Sequence, residues 1–477
     1  MLVACVLVFS QLSREVIERG GLHFPFPRNP GSLLKFTSLK SKENSPWGDC
    51  LPITNTQWRR GVLRLPAQFA KVDRSDGEGG LCEAIFLAWK SLAGAPSPIK
   101  HLYSLVPESD ILGAASSCDL RLASFGLAFD GSETDTDLVR KVGGCLRALE
   151  TEFSTYHLGS WRSDPNDWKV GKNAAHFIPL GRLGWRPTRD AAQDRRPFDQ
   201  RGLLRVRLIP TIVDGATVRL ERPDHLLSPA SVNFGAILFP GAQFRSQETA
   251  KSFFIEGIDL PNGPGIIARA CEDAHSQGCR VVVFPELTID QGSRDLIQQC
   301  LRKKPWAKGA PAPSPHLVVA GSWHQFEGSA RYNVATVFDG YGVQLFTQRK
   351  RLIFKDPEGR VEDIHPGNEF VVLIMGEALY AFGICLDFCN RCYDTAYGEL
   401  DVDFVIVPSC GNATTMSSHI ETAKDVDFRR KTRTFVVQQA YPDIRRAAGF
   451  VLNPDGQPGG KPPSKLKVAK PWTVFRV

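Results

Sequence analysis

The chain has 477 residues, a net charge of +7, 42% hydrophobic and 23% charged residues. That length exceeds one ordinary core and predicts two domains, and the balance is that of a globular chain, not a fibrous, disordered or membrane-embedded one. The charge permits an anionic partner without requiring one. Twelve cysteines in so long a chain exclude the disulfide scaffold of a short secreted protein, so free thiols in a cytoplasmic setting are expected.

Met1–Ser10 is apolar but lacks a basic n-region and a small-x-small cleavage site, and it breaks at Gln11, Arg14 and Glu15. It predicts a packed helix start, not a signal peptide, and no apolar run is long enough to span a membrane. Gly20 to Pro66 is rich in Pro, Gly, Ser and Asn, with only short apolar runs. Asp76-Gly-Glu-Gly-Gly80 predicts a turn or loop. A helix follows over Leu81–Leu92, closed by Gly94 and the Pro96-Ser-Pro98 breaker. A second helix is predicted over Asp137–Phe153, where Leu138, Val142, Leu146 and Leu149 recur near helical spacing around Gly143-Gly144.

Between Trp161 and Arg207 arginines (Arg182, Arg186, Arg195, Arg196, Arg201) interleave with Trp161, Trp168 and Trp185. Such a mixture can hold single-stranded nucleic acid by phosphate pairing and stacking. Asp164, Asp167, Asp190, Asp194 and Asp199 neutralise much of that charge, which favours a solvated surface with a few packed tryptophans. No nucleotide-binding loop, zinc-finger spacing or repeat occurs here. Strands are predicted over Leu203–Ile212 and Ala216–Leu220, with a connector over Glu221–Pro229. The boundary falls there: residues 1–225 form a mixed α/β region of unassigned function, and 226–477 a second domain.

The second half is regular. Strands are predicted over Val232–Phe239, Cys279–Phe284, Leu317–Ser322, Val334–Phe338, Val343–Thr347, Phe370–Ile374, Leu379–Ile384, Phe404–Pro408 and Phe435–Gln439. Helices are predicted over Gly265–Gln277, Asp295–Lys303 and Ser418–Thr432. Cys279–Phe284 is a continuous β-branched run of the kind covered on both faces, and helices alternating with strands predict an α/β layered domain. Three apolar strands end in a reactive group: Glu286 after Val281–Pro285, Lys350 after Leu345–Arg349, and Cys385 after Leu379–Ile384. Sites in open α/β folds gather at that edge, and a rigid strand end holds a nucleophile well.

These segments resemble the carbon–nitrogen hydrolase, or nitrilase, superfamily. Phe284-Pro-Glu286-Leu is similar to its acid motif, Gln348-Arg-Lys350-Arg-Leu to its lysine motif, and Gly383-Ile-Cys385-Leu-Asp387 to its nucleophile motif. His365-Pro-Gly367 and Asp403–Ser409 also stand where that family has them. The resemblance runs from about Ser231 to the C-terminus. It implies an α-β-β-α sandwich that pairs through its helical faces into homo-oligomers, acts on a small-molecule amide or nitrile, and needs no metal or other cofactor.

The implied chemistry is thiol-dependent cleavage of a non-peptide carbon–nitrogen bond. Glu286 takes the thiol proton and later activates water, Cys385 forms a thioester, and Lys350 stabilises the oxyanion. Glu362 matches the family's supporting glutamate, with Glu358 as runner-up, and Lys355 competes with Lys350. Leu386 and Asp387 are expected at the substrate pocket. Leu386 replaces the family's usual aromatic residue and Phe388–Tyr393 its usual Arg-Phe-Pro, while Asp387 resembles the amidase branches and favours an amide.

Other readings of the same residues stay open. Cys385-x-x-x-Cys389-x-x-Cys392 has the spacing of a radical iron–sulfur motif, but too little chain follows for its barrel. Cys410 as a further zinc ligand lacks a second close cysteine pair. The second half could also be a catalytically silent scaffold, or a module of a multi-component (for example defence) system with an N-terminal binding domain.

Overall fold

The computed structural model describes residues 54–75, 77–156, 164–182, 198–226, 233–303, 315–389, 396–441, 448–452 and 472–476. Expectations at Met1–Ser10, Trp161, Trp185, Arg186, Arg195, Arg196, Asp190, Asp194 and Cys392 lie outside these residues. Residues 44–477 make up one compact unit.

Helix α1 (Asn55–Leu63) lies inside the Pro-, Gly-, Ser- and Asn-rich stretch, where no element was predicted. Thr54 and Gln57 cap it reciprocally: Gln57 N–H donates to Thr54 Oγ1 at 3.2 Å, and Thr54 N–H to Gln57 Oε1 at 2.8 Å. The Thr-x-x-Gln signature was in the sequence, and it satisfies two N-terminal donors at once. Next come α2 (Leu65–Phe69), α3 (Gly77–Ala93), α4 (Ser97–Leu105), α5 (Glu108–Ser116) and α6 (Asp135–Tyr156). Two expectations are corrected here. Gly77–Gly80 is the first turn of α3 and not a loop. Pro98 opens α4 instead of only ending α3, because a first-turn proline surrenders an N–H that has no helical partner. Gly144 is tolerated inside α6 because α5 packs on it: a Cβ there would lie 2.6 Å from Ala114 Cβ.

Strands β1 (Lys169–Val170), β2 (Ala175–Ile178) and β3 (Arg207–Pro210), with helix α7 (Phe198–Arg201) before β3, make an antiparallel sheet in that order. Helices α1 to α7 and this sheet share one core, including Trp58, Ile85, Leu146, Phe153, Trp168 and Phe177. Arg182, Arg201 and Arg207 are buried or nearly so, which corrects the solvated reading for these three, while Arg205 is exposed. Arg207 donates to both oxygens of Asp403 at 2.9 and 2.8 Å, and Arg182 to both of Asp401 at 2.8 and 2.9 Å. Arg201 donates to the carbonyls of Tyr103 and Val106. Their charge is spent inside the protein, not offered to a phosphate.

The remaining elements, in chain order, are β4 (Ile212–Val213), β5 (Ala216–Glu221), β6 (Asn233–Ile237), β7 (Gln243–Glu248), β8 (Ser252–Asp259), α8 (Gly263–Ser276), β9 (Val281–Phe284), α9 (Gln291–Lys303), β10 (Leu317–Glu327), β11 (Ala330–Asp339) and β12 (Gln344–Arg349). They continue with β13 (Val361–Glu362), β14 (Glu369–Met375), β15 (Ala378–Phe382), α10 (Leu386–Cys389), α11 (Ala396–Glu399), β16 (Phe404–Gly411), α12 (Ala413–Arg430), β17 (Arg433–Ala440), β18 (Gly449–Leu452) and β19 (Trp472–Arg476). One sheet has the order β12-β11-β10-β9-β6-β19, a second β18-β17-β16-β15-β14-β5-β4, and a small third β13-β8-β7. Strands β4 and β5 precede residue 225 and still complete the seven-stranded sheet, β5 running parallel to β14.

The fold is mixed α/β. The two large sheets contribute to one apolar core, with Phe234, Val283, Val319 and Phe346 from the first and Leu373, Tyr380, Phe404 and Phe435 from the second. Phe234 and Phe435 ring centres are 4.8 Å apart, and those of Phe346 and Phe382 5.1 Å. Alternate residues point away from this core, as a two-residue period requires. Val282 and Val318 meet Ile267 of α8 and Ile297 of α9. Val405 and Val436 meet Met416 and Val426 of α12, together with Ile178 and Ile209 of the N-terminal sheet. Among the described residues no helix is long and apolar enough to cross a membrane.

Candidate active site

Glu286 stands two residues past β9, a strand buried at every position. Gly321, at φ +56°, makes the turn possible: a Cβ there would lie 2.3 Å from Pro285 O. Leu287 is itself left-handed at φ +60°, and Glu286 N–H reaches Ser409 O at 3.3 Å on β16. Lys350 directly follows β12, its N–H bonded to Asn333 O at 2.8 Å. Cys385 lies between β15 and α10, with φ +46° and its N–H on Pro408 O at 3.0 Å. A non-glycine residue in that conformation costs of order 1–3 kcal/mol, and such strain clusters at functional sites.

Three of these side chains meet by direct hydrogen bonds. Lys350 Nζ donates to Glu286 Oε1 at 2.9 Å and to Glu362 Oε2 at 2.7 Å. All three residues are buried. Lys355 and Glu358 are exposed instead. Cys385 is buried beside them, close enough that its charge acts on both Glu286 and Lys350.

Two residues that sequence reasoning missed tie the carboxylates together. Asn333 Nδ2 donates to Glu286 Oε1 and to Glu362 Oε1, both at 3.0 Å. Ile255 N–H donates to His324 Nδ1 at 2.8 Å, so that nitrogen carries no proton and Nε2–H is left to donate to Glu362 Oε1 at 2.9 Å. Both are buried on strands β10 and β11, where a polar group needs a partner, but other polar residues in those strands leave no signal in the sequence that singles them out.

One ammonium serves two carboxylates, and the balance falls unequally. Burial pushes Glu362 up, but the Lys350 charge and the hydrogen bond from His324 outweigh it, so its carboxyl titrates far below the usual range. Burial, the Cys385 charge and the Glu362 charge raise Glu286 well above that range, against the pull of Lys350. Burial would strip Lys350 of its proton, yet the two glutamates hold it firmly charged. The Cys385 thiol is pushed up to about 12, first by its hydrogen bond with Cys389 and then by burial, while His419 pulls it down. The thiol donates to Cys410 O at 3.6 Å.

Asp387 is buried, and its described contacts are all to backbone. Oδ1 accepts from Arg351 N at 2.9 Å and Leu352 N at 2.8 Å, and Oδ2 from Ile384 N at 3.1 Å. It therefore clamps the chain after Lys350 to the chain before Cys385. Leu386 is half-buried next to the thiol.

No family model matches the chain, and no curated protein matches it. Among solved structures it is similar to an amidase from Nesterenkonia sp., 17% identical, over 53% of this chain and 92% of that one, with a TM-score of 0.36. It is also similar to Nit3 of Saccharomyces cerevisiae, a member of branch 10 of the nitrilase superfamily, 16% identical, over 54% of this chain and 92% of that one, with a TM-score of 0.35.

Proposed function

We propose that the C-terminal half is a nitrilase-superfamily domain of the α-β-β-α kind. In this reading it is a thiol-dependent hydrolase that cleaves a non-peptide carbon–nitrogen bond, an amide in preference to a nitrile. The observation that carries this reading is the closed arrangement of Glu286, Lys350 and Glu362 around one buried ammonium, with a strained cysteine beside it. A structural ion pair needs one carboxylate per ammonium. The second carboxylate, pushed up by burial, is free to take and return a proton.

In this scheme Glu286 accepts the Cys385 proton as sulfur attacks the carbonyl carbon. The carbonyl π pair moves to oxygen, where Lys350 Nζ and the N–H of Leu386 stabilise the charge. The tetrahedral species collapses, the carbon–nitrogen bond breaks, and protonated Glu286 gives its proton to the departing ammonia or amine. Water, deprotonated by Glu286, then attacks the thioester and releases the acid. Glu362 keeps Lys350 charged, and Asn333 and His324 hold Glu362 in place. Asp387 positions Lys350 and Cys385 relative to each other.

Ammonia release from a panel of small amides tests the scheme. Wild-type protein turns over a member of the panel, and Cys385→Ala loses the activity by ~10⁴-fold or more while keeping its circular dichroism spectrum. Equal turnover by the two proteins overturns it.

A further inference from the structure

Two groups beside Cys385 have no part in the hydrolytic scheme. Cys389 closes α10 and is buried, and His419, from α12, is fully buried. The sulfur atoms of Cys385 and Cys389 and a ring nitrogen of His419 all lie within 4.8 Å of one another. His419 Nε2 is 2.9 Å from Ser409 Oγ, and its ring stacks on Phe388 with centroids 6.0 Å apart. His419 Nδ1 is buried with no hydrogen-bond partner. Leaving such an atom unsatisfied costs about 1–3 kcal/mol, and when Nε2–H donates to Ser409 the Nδ1 lone pair is open to the neighbouring thiols or to a cation. A ring fixed through one nitrogen with the other lone pair free is how metal-binding histidines are held.

Two thiolates and an imidazole suit a soft or borderline cation and do not suit magnesium or calcium. Tetrahedral zinc, with bonds of about 2.3 Å to sulfur and 2.0 Å to nitrogen, spaces its ligand atoms by roughly 3.5–3.8 Å. Three atoms already within 4.8 Å of one another need to close by only about 1 Å to reach that spacing.

We propose that Cys385, Cys389 and His419 form a site for one thiophilic divalent cation of the zinc type, which ties up the nucleophile and holds the protein inactive until the metal is withdrawn. Binding exchanges two thiol protons for the cation, the protons pass to solvent, and nothing is oxidised or reduced. The inhibitory half of this proposal rests on Cys385 being the nucleophile, as proposed above, and the binding half does not.

The test is a cobalt(II) titration of the reduced, chelator-stripped full chain, followed through the thiolate charge-transfer and ligand-field absorption of a tetrahedral site. One equivalent produces the spectrum in wild type. Cys389→Ser and His419→Ala, each shown folded by circular dichroism and thermal melting, weaken it by more than ~100-fold, beyond the range for outer-shell partners. A wild-type chain without the tetrahedral spectrum overturns the proposal, as does a spectrum undiminished in both variants. Ammonia release with and without zinc(II) separates the two readings. Cobalt binding without amide turnover removes the hydrolase and leaves the site, whereas turnover without the cobalt spectrum removes the site alone.

Discussion

Glu362→Gln isolates the charge balance on which the proposed chemistry depends. Glu362 and Glu286 accept from the same Lys350 Nζ, at 2.7 and 2.9 Å, so those two oxygens lie at most about 5.6 Å apart. At that separation and an effective dielectric of ~20, two carboxylate charges repel by at least about 3 kcal/mol. Glutamine keeps the shape and one acceptor oxygen but removes the charge. The repulsion on Glu286 vanishes, and the whole Lys350 charge falls on it. Both effects favour ionised Glu286, so its proton leaves at lower pH and it becomes a weaker base. In wild type the acid limb of kcat/KM lies well above the ordinary carboxylate range, because Glu286 must be ionised before it can accept the thiol proton. In Glu362→Gln the limb moves to lower pH and the plateau falls by about 10–100-fold, the usual cost of an outer-shell partner. The assay is ammonia release across about pH 4 to 9, with folding checked at each pH. An acid limb that stays in place or moves upward refutes the reasoning.

Asp387 makes a prediction about stability. Burial outweighs three backbone donors and the Lys350 charge and pushes its carboxyl from 3.8 to about 6. Between those values the folded chain holds a proton that the unfolded chain has lost, so the group's contribution falls as pH rises from ~4 to ~6, by about 3 kcal/mol in all. The Tm advantage of wild type over Asp387→Asn therefore shrinks across that window, and an advantage that is constant or grows contradicts the assignment. Arg207→Met takes from buried Asp403 the guanidinium that donates to both its oxygens and costs about 3–5 kcal/mol in urea unfolding. A loss under about 1 kcal/mol means the pair is not what locks the N-terminal sheet to β16. Gly144→Val drives a side chain into Ala114 and costs about 1–3 kcal/mol by the same assay, whereas an unchanged midpoint rules out that close approach.

The strand ends bearing Glu286, Lys350 and Cys385 were legible because each follows a short apolar run that gives way to polar or reactive residues. Glu362 was legible only through the resemblance, since β13 is two residues long and carries no periodicity of its own. Asn333 and His324 were not legible. Each sits mid-strand, and a polar residue there reads as solvent-facing until the tertiary fold brings Glu362 to it. The hairpin β7–β8, which supplies the Ile255 N–H that fixes the His324 tautomer, escaped because β7 is exposed or half-exposed along its length and shows no apolar alternation. In the first half, Pro98, which opens α4, was read as a stop. The buried arginines there were read as surface because their acidic partners, Asp401 and Asp403, lie some two hundred positions away in the sequence.

The central claim is that Cys385 becomes acylated and that Glu286 drives the release. Intact-mass measurement of the wild-type protein, acid-quenched during turnover of an amide, tests it most directly. The account predicts an added mass equal to the acyl group, mapped to Cys385 by peptide digestion and missing from the Cys385→Ala protein. Amide turnover with no such adduct, or an adduct on another of the cysteines, contradicts it.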